Sequence, residues 1–466
     1  MPTQYDILAP EEQEAQRASQ EVTQLLEEFL APLLIVLDSL LDKRLVRTLV
    51  QLCVAIIRFR GNKQALLLSE LGSYLHGYPG QATGAPAGTK RIGNLIRSLK
   101  WSIFQIDRYL VEEADKEVKK LKNQGKRILC PWDESVLEKP ESEKLEGLSP
   151  VVSSKAKRLQ RSKKGVVFNF PPKKPIMVAG MQWTGALITG TDGMIKVAVM
   201  SWWSSRGDDA KKLREQQEIL LRKVVRQWGE QLLHIFDRGA ASGPWIQVLQ
   251  RLRVRFVIRW KKGHFFCNQQ GEKKKLWQIG LGKKYLSHKE LRDSHTGEKM
   301  PCDIWWTPIW HEQYTYQLYL VKVRVRKKVW YLVTNERIKT GDQAWDIVFA
   351  YRRRWQIELS FRYGKSELMM ESPRLYAMEN RLKLLGIVTL VYAFLLHLLS
   401  PIYRNLVETV LQLKCKRTGK RCKKAVAPLY RLRWAISRLW DEYRPALGSL
   451  LAPNVQALQA SVAKRC

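Results

Sequence analysis

The first sixty residues place apolar side chains at helical spacing. Glu and Gln come first from position 11, and leucine and phenylalanine residues then recur every three or four positions between Leu25 and Leu37. That period predicts amphipathic helices. Pro32 falls inside the pattern and marks either a kink or a break between two helices. Residues 1–125 are therefore expected to form an all-helical N-terminal domain.

A second helical pair comes next, and its second member is basic. Residues 66–75 have helix-forming character, and a loop rich in Pro, Gly and Ala spans 79–88. Thr89 is expected to cap a helix over 90–100. Two short helices of this kind are typical of a helix-turn-helix variant, although a helical bundle with a basic rim fits the pattern too. The polar positions expected on the outer face of the second helix are Lys90, Arg91, Asn94 and Arg97.

An alternation of strands and helices begins near Arg127. A strand over 128–133 is followed by two or three predicted strands among 165–170, 181–190 and 194–202, then by a long helix over 208–228 and a strand over 232–237. The first and the fourth of the core strands each end in an acid, Asp133 and Asp237. An order of three strands, a helix and a further strand, with acids on the first and fourth strands, is that of a ribonuclease-H-like fold. A helix (243–252) and a strand (255–260) continue it.

The remaining chain changes character twice. Residues 261–334 are rich in Lys, Gly, Trp and Tyr and alternate polar with apolar positions, which predicts β structure. A helix over 342–365 and an apolar helix within 373–400 return to the α/β pattern. The fold class is therefore α/β, with a ribonuclease-H-like core at 126–260 and 335–400, a β-rich insertion at 261–334, the helical domain at 1–125 and a basic helical region at 401–466.

Composition narrows the possible partners. The chain has 466 residues, 45% of them apolar, and a formal net charge of +36 with a pI of about 10.0. A folded protein with that excess of cations is expected to bind a polyanion, and 17 tryptophans offer surfaces for stacking on bases. A membrane surface is the weaker alternative, because the longest apolar run, 384–399, is shorter than a spanning helix and is expected to be a buried core helix.

Cysteine usage and the N-terminus indicate a cytoplasmic protein. Seven cysteines, an odd number, are scattered along the chain, which favours reduced thiols. Residues 1–10 lack the basic and apolar regions of a signal peptide. No glycine-rich phosphate loop is present, so no nucleotide cofactor is expected.

The helix predicted over 342–365 carries a narrow polar stripe. Tyr351, Arg354, Glu358 and Lys365 lie at offsets of 0, 3, 7 and 14, within roughly 60° of one another at about 100° per residue. The simplest explanation is a solvated face with an i,i+4 ion pair between Arg354 and Glu358.

The spacing of that stripe resembles the signature of the IS-four-type insertion-sequence transposases, the Tn-five group, which cut DNA with an Asp-Asp-Glu triad. The resemblance implies that Glu358 is the third metal ligand and that Tyr351, Arg354 and Lys365 hold DNA phosphates near the cut. Trp330 stands 21 residues before Tyr351, and its position resembles that of a tryptophan that stacks on a flipped base in this group. A tryptophan in the core of a strand would explain it equally well.

Asp133 and Asp237 supply the other two acids of the implied triad. The Asp-Arg-Gly sequence at 237–239 resembles the residues around the second catalytic aspartate of the group, and it adds Arg238 as a DNA contact. Three carboxylates suit two divalent ions, Mg²⁺ with Mn²⁺ as a substitute, that activate one oxygen and stabilise another. Glu134, which comes after Asp133, should point away from it if the strand continues.

The resemblance implies a cut-and-paste DNA transposase. Such an enzyme binds the terminal inverted repeats of its element, cleaves phosphodiesters with two metal ions through a hairpin, and joins the ends to double-stranded target DNA as a homodimer in a synaptic complex. Two alternatives stay open: an inactive or domesticated sequence-specific DNA-binding protein, and a metal-dependent DNA nuclease.

Overall fold

The structure is a computed structural model that describes residues 10–59, 65–75, 84–142, 144–155, 175–207, 210–292, 298–326, 328–415 and 429–445. Over these ranges the chain combines helices with one large mixed sheet, so the predicted α/β class is confirmed. The strand predicted over 165–170 and most of the basic cluster at 414–424 lie outside the described residues.

Five helices precede the first strand in the described part of the chain, and the last of them, over residues 103–123, was not predicted individually. The second is capped by Asp42, whose carboxylate accepts the backbone N–H groups of Arg44 at 2.9 Å and Leu45 at 3.1 Å, a typical N-cap. Pro32 lies inside the first helix, which continues through it, so there is no break at that point. The helices are α1 (Pro10–Asp38), α2 (Lys43–Arg58), α3 (Leu68–Tyr74), α4 (Ala85–Arg97) and α5 (Ile103–Asn123).

The basic helix α4 begins earlier than predicted. Thr89 was expected to cap it, but the helix starts at Ala85 with Pro86 in its first turn, a position that suits proline because no N–H is needed there. The Thr89 hydroxyl instead donates to the carbonyl of Ala85 at 2.8 Å. Helices α3 and α4 touch at Gly72 and Gly88, where a Cβ on Gly88 would collide with the Gly72 carbonyl group.

Twelve strands of the described chain form one sheet. The strands are β1 (Ile128–Glu138), β2 (Ser149–Val152), β3 (Met177–Thr189), β4 (Ile195–Trp203), β5 (Leu232–Phe236), β6 (Arg255–Arg259), β7 (Phe265–Cys267), β8 (Lys273–Lys275), β9 (Ser287–Arg292), β10 (Lys299–His311), β11 (Tyr314–Val325) and β12 (Lys328–Thr334). Their order is β2-β3-β1-β5-β6-β12-β11-β10-β7-β8, with β4 beside β3 and β9 beside β10.

Strand β1 lies at the centre of five strands in the order β4-β3-β1-β5-β6. On one side it pairs antiparallel with β3, which pairs antiparallel with β4. On the other side it runs parallel to β5, and β5 runs parallel to β6. Strand β12 then pairs antiparallel with β6, so the β-rich segment extends the same sheet.

Helices cover both faces of this sheet. The remaining helices are α6 (Leu213–Trp228), α7 (Gly243–Arg251), α8 (Leu276–Ile279), α9 (Gly341–Arg353), α10 (Trp355–Ser366), α11 (Met378–Leu398), α12 (Arg404–Lys414) and α13 (Leu429–Glu442). Apolar residues of α6 and α7 share one core cluster with the sheet, and those of α9 share another cluster with its opposite face. A third cluster joins α1 to α5 with α11, α12 and α13.

Helix α11 is the predicted buried core helix. The helix has 21 residues and is long and apolar enough to cross a membrane, whereas the sequence predicted an apolar run too short to do so. However, 89% of its most apolar window is buried inside this fold. Buried residues lie on all sides of the helix. Its apolar composition is accounted for by packing between the N-terminal helices and the sheet.

A buried arginine ties the C-terminal helix to the rest of the fold. Arg433 of α13 is 1% exposed and donates to the carbonyl oxygens of Ile57 at 3.3 Å and Phe59 at 2.7 Å. Its guanidinium lies 5.0 Å from the centre of the Phe59 ring, and Glu367 approaches to 3.7 Å. One side chain thus satisfies the end of α2, where helix carbonyls lack partners.

We expect Arg433→Ala to lower the free energy of unfolding by about 2–4 kcal/mol, because it leaves buried carbonyl groups and a carboxylate without their donor. Denaturant titration followed by circular dichroism measures the change. Arg438→Ala on the exposed face of the same helix is the matched control and should change stability by about 0.5 kcal/mol or less. Equal effects of the two substitutions would contradict this account of Arg433.

Candidate active site

The two aspartates come together because their strands are parallel neighbours. The register pairs Ile128 with Leu232 and Pro131 with Ile235, so two further steps bring Asp133 beside Asp237. Strand β5 ends at Phe236, directly before Asp237. The two carboxylates therefore lie at the edge of the sheet where β5 stops and its loop begins.

Helix α10 brings Glu358 to the same edge. Asp133 pairs with Gly185 of β3, and a Cβ on Gly185 would lie 3.0 Å from the Phe361 ring and 3.1 Å from the Ile357 side chain of α10. The absence of a side chain at this position allows the helix to approach the sheet beside Asp133. Glu358, next to Ile357, is thereby held close to the first aspartate.

The single helix predicted over 342–365 is two helices that meet at Arg354. Helix α9 ends at Arg353 and α10 begins at Trp355. At the junction, the N–H of Arg354 bonds the Tyr351 carbonyl at 3.1 Å and the N–H of Ile357 bonds the Arg354 carbonyl at 3.2 Å. These are i→i+3 bonds of a tighter turn. The four positions of the predicted stripe therefore do not lie on one regular helix, because the helix is interrupted at Arg354.

Arg354 bridges two of the three candidate acids. Its Nη1 lies 3.2 Å from Asp133 Oδ2, and its Nη2 contacts Glu358 Oε1. The predicted i,i+4 pair of Arg354 with Glu358 is thus confirmed, and Asp133 joins it from β1. The exposed fractions of the three side chains are 11% for Arg354, 15% for Asp133 and 30% for Glu358.

The charges in this cluster oppose burial. Burial raises the pKa of Asp133 to about 8, with Arg354 lowering it and Glu134, Asp237 and Glu358 raising it. Burial disfavours the charge on Arg354, yet Tyr351, Asp133 and Glu358 together raise its pKa above the ordinary value. Because the Arg354 guanidinium keeps its proton, it is the positive partner of this cluster whether Asp133 is protonated or ionised.

Glu134 lies on the opposite side of β1, as the alternation of a strand predicts. Its carboxylate accepts a hydrogen bond from Gln217 of α6. Burial raises its pKa to about 7, helped by the charge of Asp237 and opposed by Gln217, Arg214 and Arg354. Glu134 therefore faces away from Asp133 but is electrostatically part of the same edge, which was not foreseen from the sequence.

Asp237 is an electrostatic neighbour of both Asp133 and Glu134. Its Oδ1 accepts the backbone N–H of Gly239 at 2.6 Å and caps a short 3₁₀ turn. Arg214 reaches this turn from α6 and donates to the Gly239 carbonyl at 2.5 Å, while Arg238 is exposed. Arg214 carries no motif, and only the packing of α6 against the turn reveals it.

A hard divalent cation is the group that these oxygens would suit. Asp133 and Glu358 already hold a positive group between them. Within the described part of the chain, however, no three His, Cys, Asp or Glu side chains converge closely enough to hold a metal ion. The donor chemistry fits a metal, and Arg354 stands where two of the donors would meet it.

An aromatic and cationic cluster of Tyr351, Trp330, Arg259 and Arg354 adjoins the acids. Tyr351 packs edge-on against Trp330 of β12 with ring centres 5.8 Å apart, and the Arg259 guanidinium lies 5.7 Å from the centre of the Trp330 ring. Burial raises the pKa of Tyr351, while the charges and hydrogen bonds of Arg354 and Arg259 lower it. Two guanidinium groups thus share one phenol, and Arg259 is a residue that the motif did not identify.

The other predicted DNA contacts lie further away. Lys365 is half-buried near the end of α10. On α4, Lys90, Asn94 and Arg97 are exposed, and Arg91 is half-buried with its guanidinium on Gln51 of α2. Arg91 therefore helps to hold α4 on α2.

A buried aromatic group supports the strand pair that carries the aspartates. His234 of β5 is fully buried, and its Nδ1 accepts the indole N–H of Trp132 at 2.9 Å. Burial lowers the pKa of His234 to about 3, so the ring is neutral at physiological pH. The hydrogen bond ties β1 to β5 one residue before Asp133.

One segment of the chain is similar to a known protein family. Residues 204–394 match the family described as the transposase DDE domain, a range that includes Asp237 and Glu358 and begins after Asp133. No curated protein matches the chain. Among solved structures, the chain is similar to a piggyBac transposase in a synaptic complex with hairpin DNA, with 13% identity, a TM-score of 0.39, and coverage of 90% of this chain and 76% of that one. The family match supports a DNA transposase, through the similarity of residues 204–394 to a transposase DDE domain.

Proposed function

We propose that this protein is a DNA transposase of the IS-four type that cuts its element from double-stranded DNA and joins the ends to a target. The observation that carries the proposal is that Arg354 joins Asp133 and Glu358 at the sheet edge where the parallel pair of β1 and β5 leads to Asp133 and Asp237. The family match over 204–394 and the net charge of +36 support it.

The strand order supports a ribonuclease-H-like core within the proposal. Taken along the chain, the first core strand is central, the second and third lie antiparallel on one side, and the fourth and fifth lie parallel on the other. The acids come in turn from the first strand, the fourth strand and a later helix. We place the limit between the helical domain and this core between the end of α5 at Asn123 and the start of β1 at Ile128.

Asp133, Asp237 and Glu358 would hold two divalent cations, Mg²⁺ or Mn²⁺. Such ions, when bound, activate the attacking oxygen and stabilise the leaving oxygen at the phosphodiester. The protein's own contribution is to fix the three carboxylates at the end of β5, on β1 and on α10. Arg214 supports this arrangement by holding the turn after Asp237.

Tyr351, Arg354, Lys365 and Arg238 would hold DNA phosphates near the cut. A guanidinium fork binds an oxyanion in two places, and Arg259 adds a second fork beside Tyr351. The exposed Lys90, Asn94 and Arg97 on α4 would contact the element end. A homodimer would bring two such ends together in the synaptic complex.

A metal-dependent nuclease remains the second candidate, because hydrolysis and strand transfer use the same acids. Incubating the purified protein with the DNA that flanks its gene and with Mg²⁺ or Mn²⁺ distinguishes them on a denaturing gel. A transposase gives cuts at the element ends and joined products. A nuclease gives cuts without joining, and a protein that only binds DNA gives neither.

Replacing any one of Asp133, Asp237 and Glu358 by Ala should lower cleavage by about a thousandfold or more, because the metal loses a ligand. DNA binding, measured by fluorescence anisotropy, should be nearly unchanged. Asp342→Ala, an exposed acid on α9, is the control and should cleave normally. Normal cleavage by Asp133→Ala would move the first ligand elsewhere.

The raised pKa of Asp133 predicts a pH-dependent stability in the absence of metal. Folding favours the protonated carboxyl, so its contribution is full below the ordinary value of 3.8 and is lost as the pH rises through about 8. In EDTA, we therefore expect Asp133→Asn to gain stability over the wild type as the pH rises from about 5 to about 8.5. Denaturant midpoints at several pH values measure the difference. A constant difference would contradict the buried state of this carboxyl.

Trp330 gives a separate test of hairpin chemistry. Flipping a base out of a bent DNA end costs a few kcal/mol, and stacking on an aromatic face returns about 1–3 kcal/mol. Trp330→Ala should leave the first nick nearly intact and slow hairpin formation by about tenfold, while Trp330→Phe should lose less.

An end with an abasic site at the flipped position should make the Trp330→Ala enzyme less defective, since no base has to be unstacked. The gel resolves nicked from hairpin products in each case. If Trp330→Ala only lowers the yield of folded protein and leaves the nick-to-hairpin ratio unchanged, Trp330 is a packing residue beside Tyr351.

A further inference from the structure

Arg354 occupies the position that a metal ion needs. The candidate ligands Asp133 and Glu358 come from different elements, β1 and α10, and both direct an oxygen at the same guanidinium. An ordinary i,i+4 pair would involve Glu358 alone. The contact with Asp133 makes the arginine a cationic bridge between two carboxylates that the metal would otherwise join.

Charge balance explains why the bridge forms without metal. Four carboxylates influence one another at this edge, namely Asp133, Glu134, Asp237 and Glu358. Bringing such charges together costs free energy unless a cation lies among them. Arg354 supplies that cation, and its pKa is raised by its neighbours, so it stays charged over the physiological range.

Arg354 also has a second place to bind an anion. It lies beside Tyr351, with its guanidinium 5.9 Å from the centre of the phenol ring, and Arg259 approaches the same phenol. Two like charges near one hydroxyl are suited to a shared oxyanion such as a DNA phosphate. The buried Nε–H of Arg354 has no hydrogen-bond acceptor among the described residues, so this arginine keeps an unused donor.

The backbone at this point is suited to a small movement. Arg354 is the residue at which α9 gives way to α10, and its neighbours use i→i+3 bonds in place of a continuous helix. A side chain at a helix junction can change its direction without breaking a regular ladder of hydrogen bonds.

We propose that Arg354 is a switch that couples DNA binding to metal binding. Without DNA, it bridges Asp133 and Glu358 and competes with the metal. A phosphate bound beside Tyr351 and Arg259 draws the guanidinium away, and the two carboxylates are then free for a cation. Metal would thus enter when DNA is in place, so the protein without its DNA would not hold the ions that cleavage needs. This inference rests on the proposed transposase function and deepens it.

Manganese binding without catalysis tests the switch. Free Mn²⁺ is measured by electron paramagnetic resonance in titrations of the full chain with and without an element-end duplex that is already cut. For the wild type, DNA should tighten Mn²⁺ binding by about tenfold, within the usual range of coupling between two sites. By reciprocity, Mn²⁺ should tighten duplex binding by the same factor.

Arg354→Gln should bind Mn²⁺ about tenfold more tightly than the wild type in the absence of DNA, and added DNA should have little further effect. The matched control is Arg353→Gln, because Arg353 bonds Thr189 at 2.6 Å and the Gly193 carbonyl at 2.9 Å rather than the acids. It should behave as the wild type.

Arg354→Lys keeps the charge but cannot bond two carboxylates at once as the guanidinium does, so its Mn²⁺ affinity without DNA should be intermediate. It replaces Arg354→Gln in the test if that variant does not fold.

Mn²⁺ binding by Arg354→Gln or Arg354→Lys that is equal to or weaker than wild type would overturn the switch. If the variants bind Mn²⁺ more tightly but no DNA is bound or cut, the transposase function fails while the competition stands. If DNA is cut normally and the Mn²⁺ titrations are identical, only the switch fails.

Discussion

The parallel pairing of β1 with β5 is the constraint on which the candidate site depends. It fixes Asp133 and Asp237 side by side, although a long segment of β3, β4 and α6 separates them in the chain. Because a register error of one residue would turn one carboxylate to the other face, the pairing has to be well specified. The buried hydrogen bond from the Trp132 indole to His234 Nδ1 contributes to that, since it links the two strands one residue before Asp133.

The sequence predicted the parts of the site that depend on local order. Apolar strands that end in acids and the Tyr-Arg-Glu-Lys spacing predict Asp133, Asp237 and Glu358 as site residues, and the structure brings Asp133 and Glu358 onto one arginine at the sheet edge. The alternation of a strand also placed Glu134 on the correct side. These features arise from periodicity over a few residues, which a single sequence contains.

The parts that the sequence missed depend on contacts between distant segments. Nothing near Arg214 or Arg259 distinguishes them from the other basic residues, and each acquires its role through a partner elsewhere, Gly239 for the first and Trp330 for the second. The break at Arg354 was missed because the strong helix formers on either side hide it. The early start of α4 was missed because a proline-containing loop is also a good first turn.

A site built from several acids in a basic protein has to remain stable when it is empty. Metal ligands that are fully assembled would repel one another, and burial makes that repulsion stronger. A guanidinium from the helix junction resolves the conflict at Asp133 and Glu358. The cost is that any cation must then displace a well-placed arginine, and the binding energy of DNA phosphates is the natural source for that displacement. In the proposed switch, the residue that makes the empty site stable therefore also links its filling to the substrate.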